Sequence, residues 1–200
     1  FALANGFGLD TPQWRMTTPD HARQAARAYC ADQGIAPDPS RTADGRNMVI
    51  FGVGAMDEER QWPPSRFAAL AAKLHETSPD VKILLMGAPS EMPIIEAVMA
   101  DPKAPPGLIA NTAPLDQAVA LLTAARAYVG NDTSLLNIAA SCGRPAIGIF
   151  AQSEPLDYSD NFIPVSLADG RFGESGAITR ISADQAYEVV AATLTGQAAR

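Results

Sequence analysis

Apolar residues follow two rhythms along this chain. Short, nearly continuous runs lie at Met48 to Val53, Val81 to Met86, Ala127 to Gly130 and Ala146 to Phe150, with a weaker one at Leu108 to Ala110. Between them the spacing changes to i, i+3, i+4, i+7. Phe67, Leu70, Ala71 and Leu74 mark one helix face, and Ile95, Val98 and Met99 mark another, stopped by Pro102. Leu115, Ala118, Val119 and Leu122 mark a third, and Leu135, Ile138, Ala139 and Cys142 a fourth. Strands that are apolar on both faces, alternating with amphipathic helices, predict a parallel sheet covered on two sides. The expected fold is therefore an α/β, Rossmann-like, doubly wound parallel sheet over roughly residues 45 to 200. Ligands in such folds sit at the carboxyl ends of the strands.

The two ends are patterned differently. Residues 20 to 33 predict one helix with Ala22, Ala25, Ala26 and Tyr29 on a face. Pro37-Asp38-Pro39-Ser40 and Thr42-Ala43-Asp44-Gly45 then predict a linker. Prolines and glycines between 151 and 180 predict loops, with one short strand at Ile163. Ser182 announces a last helix, with Ala186, Val189, Val190 and Leu194 facing inward.

Composition narrows the function classes. Of the 200 residues, 47% are hydrophobic and 18% charged, which describes a chain that folds rather than a disordered one. No apolar run reaches the roughly 18 to 20 residues that span a bilayer. The formal charge of −7 and a pI near 4.7 disfavour nucleic acid as a partner, while leaving room for one localised anion site. Cys30 and Cys142 stand alone and make neither a zinc motif nor a redox pair, and they read as reduced thiols. His21 and His75 are isolated and read as surface residues, so no metal site is expected. The opening residues, Phe1-Ala2-Leu3-Ala4-Asn5-Gly6, lack Met and a basic segment, and read as a chain that begins partway through a larger protein.

In a parallel sheet, the loops that follow the strands share one side. Four of the five are built from small residues that let backbone amides approach a ligand. Gly52-Val53-Gly54 starts like a dinucleotide fingerprint but fails it. Asp57 stands where a third glycine belongs, and Trp62-Pro63-Pro64 delays the helix. Arg60 lies among acidic residues, where it either pairs with Glu58 or Glu59 or offers a guanidinium fork to a phosphate. Trp62 reads as packing against the sheet. Asn131-Asp132-Thr133-Ser134 reads either as a helix cap or as a seat for a diphosphate. Asp132 is then best placed to position a neighbouring cation such as Arg60.

Three segments, in this order and spacing, carry a resemblance. They are Arg60-Gln61-Trp62-Pro63-Pro64-Ser65-Arg66-Phe67, Leu84-Leu85-Met86-Gly87-Ala88-Pro89-Ser90-Glu91, and Gly130-Asn131-Asp132-Thr133-Ser134-Leu135-Leu136-Asn137-Ile138-Ala139-Ala140. Over about residues 45 to 155 the chain resembles glycosyltransferase family 9, the ADP-heptose:lipopolysaccharide heptosyltransferases and relatives. The family shows a K/R-x-W-P segment, a loop like G-G-P-x-E, and a D-T-G-x-x-H-L-A-A motif.

The resemblance implies a GT-B enzyme of two Rossmann-like domains, of which this chain is the C-terminal, donor-binding one. Residues 1 to 45 would be the end of the N-terminal half plus the linker, and 46 to 200 the nucleotide-sugar-binding domain. That domain would pack against an N-terminal half carrying the catalytic base, so no catalytic residue is assigned here. By position, Arg60, Asp132, Thr133 and Ser134 would hold the donor diphosphate. Glu91 would take ribose hydroxyls, and Ala113 would lie near the base. The implied reaction is metal-independent transfer of a heptose or related sugar from a nucleoside diphosphate, ADP-linked, to a bacterial surface glycan or lipid-linked acceptor. No cofactor is implied, and the expected location is the cytoplasm or the inner-membrane surface. Ser134 replaces the motif's glycine, Asn137 its histidine, and Phe51-Gly52-Val53-Gly54 the family's His-Pro-Gly run. These departures motivate two alternatives: a non-catalytic nucleotide-sugar-binding module, or another GT-B-like enzyme such as a sugar-nucleotide 2-epimerase.

Overall fold

The computed structural model describes residues 16–37 and 45–196. A six-stranded, wholly parallel sheet runs through it in the order β3-β2-β1-β4-β5-β6. The strands are β1 (Met48–Gly52), β2 (Lys82–Met86), β3 (Ile109–Asn111), β4 (Ala127–Asn131), β5 (Ala146–Phe150) and β6 (Phe162–Ser166). The helices are α1 (Asp20–Asp32), α2 (Pro64–Thr77), α3 (Met92–Met99), α4 (Leu115–Ala124), α5 (Ser134–Ser141) and α6 (Ala183–Leu194). The expected doubly wound α/β sheet is present.

Alternation along each strand divides the core into two layers. Val49, Phe51, Ile83, Leu85, Val129 and Ile147 face α2, α3 and α6. Met48, Ile50, Leu84, Met86, Tyr128 and Phe150 face α1, α4 and α5. Strands β1, β4 and β5 are buried at every position, which explains why their sequences are apolar apart from Asn131. The edge strand β6 tolerates Pro164 because proline is accommodated at sheet edges.

Helix ends follow local chemistry. Pro64 begins α2, its fixed φ suiting the first helical position. Ser182 Oγ accepts from Gln185 N at 3.1 Å and Gln185 Oε1 accepts from Ser182 N at 2.8 Å, a reciprocal cap that starts α6. Gly143, at φ +70°, turns the chain after α5. Three expected inward positions face out: Ala25 is exposed, Met99 is 42% exposed and Leu115 63%. Ala25 gives way to Cys30, which with Ala22 and Ala26 buries the inner face of α1 against α4. Met99 ends its helix and Leu115 begins one at the mouth of a cleft, where the periodic pattern runs past the core. Both cysteines are buried free thiols, and burial raises the titration points of both.

The strand order reverses between β1 and β4. Successive strands lead outward on one side of β1 and then, after the crossover, on the other, so the loops leaving β1 and β4 diverge and open a crevice between them.

Candidate functional site

That crevice holds a cleft of about 740 Å³, within the range of small-molecule sites. Its walls come from the loop after β1 (Gly54 to Asp57, with Arg60), the loop after β2 (Gly87 to Glu91), residues 112–115 after β3, and residues 132–135 after β4. All six residues proposed from the sequence, Arg60, Glu91, Ala113, Asp132, Thr133 and Ser134, line it together.

Arg60 closes a three-residue turn, Glu58–Arg60, that is fastened at every step. Asp57 Oδ1 accepts from Glu59 N at 3.0 Å. Glu59 reaches out of the cleft to Ser175 Oγ (2.8 Å) and Gly176 N (2.7 Å). Gln61 Nε2 donates to Val53 O at 2.7 Å. Trp62 is fully buried, edge-on to Phe67, with Nε1 donating to Ile181 O at 2.9 Å. Removing roughly 200 Å² of this ring from water stabilises the turn's anchor by about 5 kcal/mol as an upper estimate.

The guanidinium therefore arrives at a defined place. Its Nη1 lies 2.6 Å from Asp132 Oδ2, with Asp57 at 3.9 Å from Nε. The pairing with Asp132 matches the sequence reading, whereas the expected partners Glu58 and Glu59 are not engaged by Arg60 in the described structure. Asp132 Oδ2 also accepts from Ser153 Oγ at 3.2 Å. Arg60 keeps about 40% of its side chain exposed, so part of its fork faces the cleft.

The four residues Asn131 to Ser134 do different work from a cap. Thr133 occupies the cap position of α5, yet no side chain caps the helix. The helix thus presents its amino terminus to the cleft without a side-chain acceptor in place, a favourable environment for an anion. Asn131, fully buried, points the other way. Its Nδ2 donates to Val53 O and Gly54 O, both at 3.1 Å, and its Oδ1 accepts from Trp62 N at 3.0 Å. One amide therefore ties the loop after β4 to the loop after β1.

Glu91 is pinned rather than free. Its Oε2 accepts from Ala88 N at 2.6 Å, and its carboxyl group lies where a Cβ at Gly54 would come within 2.0 Å. A side chain at 54 would push that carboxyl aside. The second carboxylate oxygen has no protein partner in the described structure. Ala113 donates its N–H to Asn111 Oδ1 at 3.2 Å, which leaves its carbonyl and methyl for the cleft.

Tyr128 lies beneath this floor, with no exposed surface and no hydrogen-bond partner for its hydroxyl among the described residues. An unsatisfied buried hydroxyl costs about 1–3 kcal/mol. Burial holds it protonated, raising its titration point far above the usual tyrosine range. The neighbouring Thr133 side chain offsets part of that shift, while Glu91 and Asp132 add to it.

Outside the cleft, Asn137 donates from Nδ2 to Thr133 O at 3.0 Å and accepts from Tyr158 Oη. It thereby joins the first turn of α5 to the β5–β6 loop. The histidines lie away from the site: exposed His21 meets Asp116 at 3.2 Å, and half-buried His75 sits on α2. His21 is thus paired rather than isolated. Among the described residues no cluster of His, Cys, Asp and Glu is placed to hold a metal. No described helix is long and apolar enough to cross a membrane. Ser153 and Tyr128 are site residues to which sequence reasoning gave no role, and Asn131, read there as part of the cap or diphosphate seat, instead ties two loops together.

The family model for glycosyltransferase family 9 (heptosyltransferase) matches residues 1–170. The chain belongs to this family. Among curated relatives, the family member is 30% identical over 115 residues to lipopolysaccharide heptosyltransferase 2 of Escherichia coli strain K12, and 29% identical to that of Salmonella typhimurium strain LT2. In both cases the match takes in 55% of this chain and 32% of the relative, so the chain spans about a third of the length of the curated relatives it matches. Among solved structures, the glycosyl transferase family 9 protein of Veillonella parvula DSM 2008 aligns at a TM-score of 0.74 and 18% identity, over 91% of this chain and 54% of that one. The E. coli ADP-heptose lps heptosyltransferase II aligns at 0.72 and 22%, over 92% and 54%. These neighbours are GT-B glycosyltransferases, and the shared fold is that of about half of each.

One prediction concerns the turn that carries Arg60. Hydrogen bonds from Gly176 N and Ser175 Oγ lower the titration point of Glu59 below its ordinary 4.5. A lowered folded value contributes stability above the unfolded value and loses it as pH falls through the folded one. Wild type should therefore exceed Glu59→Gln in Tm near neutrality, and the gap should close as pH drops below about 4.5. Thermal denaturation across pH 3 to 7 checks this; a gap that persists unchanged to the acid end contradicts it.

Proposed function

We propose that this chain is the donor-binding domain of a metal-independent glycosyltransferase that transfers a heptose or related sugar from a nucleoside diphosphate, ADP-linked, to a bacterial surface glycan. The observation that carries the reading is the meeting of Arg60 with the uncapped start of α5 inside the β1/β4 crevice. A fixed cation and a row of helix-terminal N–H groups converge where a diphosphate would acquire charge as the glycosidic bond breaks. Arg60, Thr133 and Ser134 hold the diphosphate, and Asp132 sets the angle of the guanidinium. Glu91 offers its free carboxylate oxygen to ribose hydroxyls, and Ala113 lies beside the base. The acceptor-side base belongs to the other half of the enzyme in this reading.

Calorimetric titration of ADP, UDP and GDP tests the site. ADP should bind tightest, and no binding by any of the three would defeat the proposal. A second reading, a nucleotide-sugar-binding module without turnover, draws on Asn137. Both ends of its amide are engaged by Thr133 and Tyr158, so the side chain is committed to structure where the motif has a histidine. Sugar release from the donor by the full-length protein with acceptor present separates the two.

A further inference from the structure

Tyr128 raises a problem that the proposed donor site does not answer by itself. A phenylalanine would fill nearly the same space without burying a lone hydroxyl, yet tyrosine stands here with that hydroxyl fully buried. A Cβ on Gly52 of β1 would come within 1.8 Å of the oxygen, and one on Gly130 of β4 within 2.6 Å. Glycine at 52 thus leaves room for the phenol under the crevice, while glycine at 130 is already required by the Gly52 carbonyl, 2.5 Å from where its Cβ would lie. The oxygen is sealed from solvent and finds no completed hydrogen bond among the described residues. The Thr133 side chain neighbours it, and Thr133 lines the cleft at the cap position of α5 and caps nothing.

Building on the diphosphate reading, we propose that Tyr128 is a positioning residue that acts on the ligand through Thr133. The Tyr128 hydroxyl donates to Thr133 Oγ1 when a diphosphate is bound, which turns the threonine's own proton outward to a phosphate oxygen. The inventory of groups supports this relay. A threonine hydroxyl has one proton and two lone pairs, so accepting from beneath leaves its proton for the ligand. A chain of two such bonds, ending on an anion in a region shielded from water, strengthens along its length. No proton changes owner. The cost of the orphan is carried by the free protein and relieved on binding, so the two states respond oppositely to its removal.

The test is Tyr128→Phe in the full-length protein, measured for ADP affinity and for thermal stability without ligand, alone and combined with Thr133→Ala. The expected result is an ADP affinity reduced about 3- to 10-fold, with a ligand-free Tm equal to or above wild type. In the Thr133→Ala background the same change should have no further effect on affinity. A merely structural role would instead lower Tm and leave affinity alone. The proposal is overturned if Tyr128→Phe binds ADP like wild type, or if its effect on affinity is the same size with and without Thr133. Wild type that binds no nucleoside diphosphate would overturn the donor-site reading and this one with it. Wild-type binding that Tyr128→Phe leaves untouched would overturn this one alone.

Discussion

Asn131→Ala is expected to destabilise the protein by about 3–5 kcal/mol. The side chain has no exposed surface and makes three hydrogen bonds to the backbone of another segment. Alanine leaves the carbonyl of Gly54 and the N–H of Trp62 facing a void that water cannot easily fill, while Val53 O keeps only Gln61 Nε2 as a donor. Each buried orphan costs on the order of 1 kcal/mol or more. In a chain of this size that corresponds to a fall in Tm on the order of 10 °C. Asn131→Asp should do no better, because a carboxylate oxygen would replace the donor opposite two carbonyls. Chemical denaturation of this chain reads the effect directly, and a loss below about 1 kcal/mol would show that the loops hold together without the amide.

The second large effect is expected on binding rather than on stability. Arg60→Ala should weaken ADP by roughly 10- to 100-fold, the loss of one or two charge-assisted hydrogen bonds to phosphate. Stability should hardly change, since the Arg60–Asp132 pair is 40% exposed on the arginine side and such pairs contribute about 0–1 kcal/mol. Asp132 would keep Ser153 as a donor. Arg60→Lys should fall between, retaining the charge but not the planar fork. Titration of wild type at rising salt provides a companion measurement, because an exposed guanidinium's attraction to a polyanion is screened. Unchanged ADP affinity in Arg60→Ala would remove this residue from the site.

The fold was largely legible because its strands are buried on both faces. Uniformly apolar runs such as Val49-Ile50-Phe51 can belong to little else when helical spacing lies between them, and the structure places them within a residue or so of the expected bounds. The weakest expectations came where burial is partial. β6 carries Pro164 at the edge of the sheet, and Leu115 keeps the helical rhythm while lying at the mouth of the cleft. Within the site, the residues that touch the cleft could be read from loop position and the family motif. What could not be read was direction. Asn131 and Thr133 both belong to residue types that cap helices, yet one turns to β1 and the other caps nothing. The fit of Tyr128 over Gly52 and Gly130 depends on which strands become neighbours, and no local pattern carries that information.

The order of strands also bears on how the protein is made. β1 meets β2 after a short interval, Met48 pairing with Lys82, but on its other side Val49 pairs with Ala127, about 78 residues later in the chain. At synthesis rates of about 5–20 residues per second, that edge of β1 waits roughly 4 to 16 s for its partner to emerge. Long-range parallel pairing is slow to form even then. The crevice between β1 and β4 therefore forms only after β1, β2 and β3 have all been made, and the nascent chain passes through a stage in which β1 has one open edge.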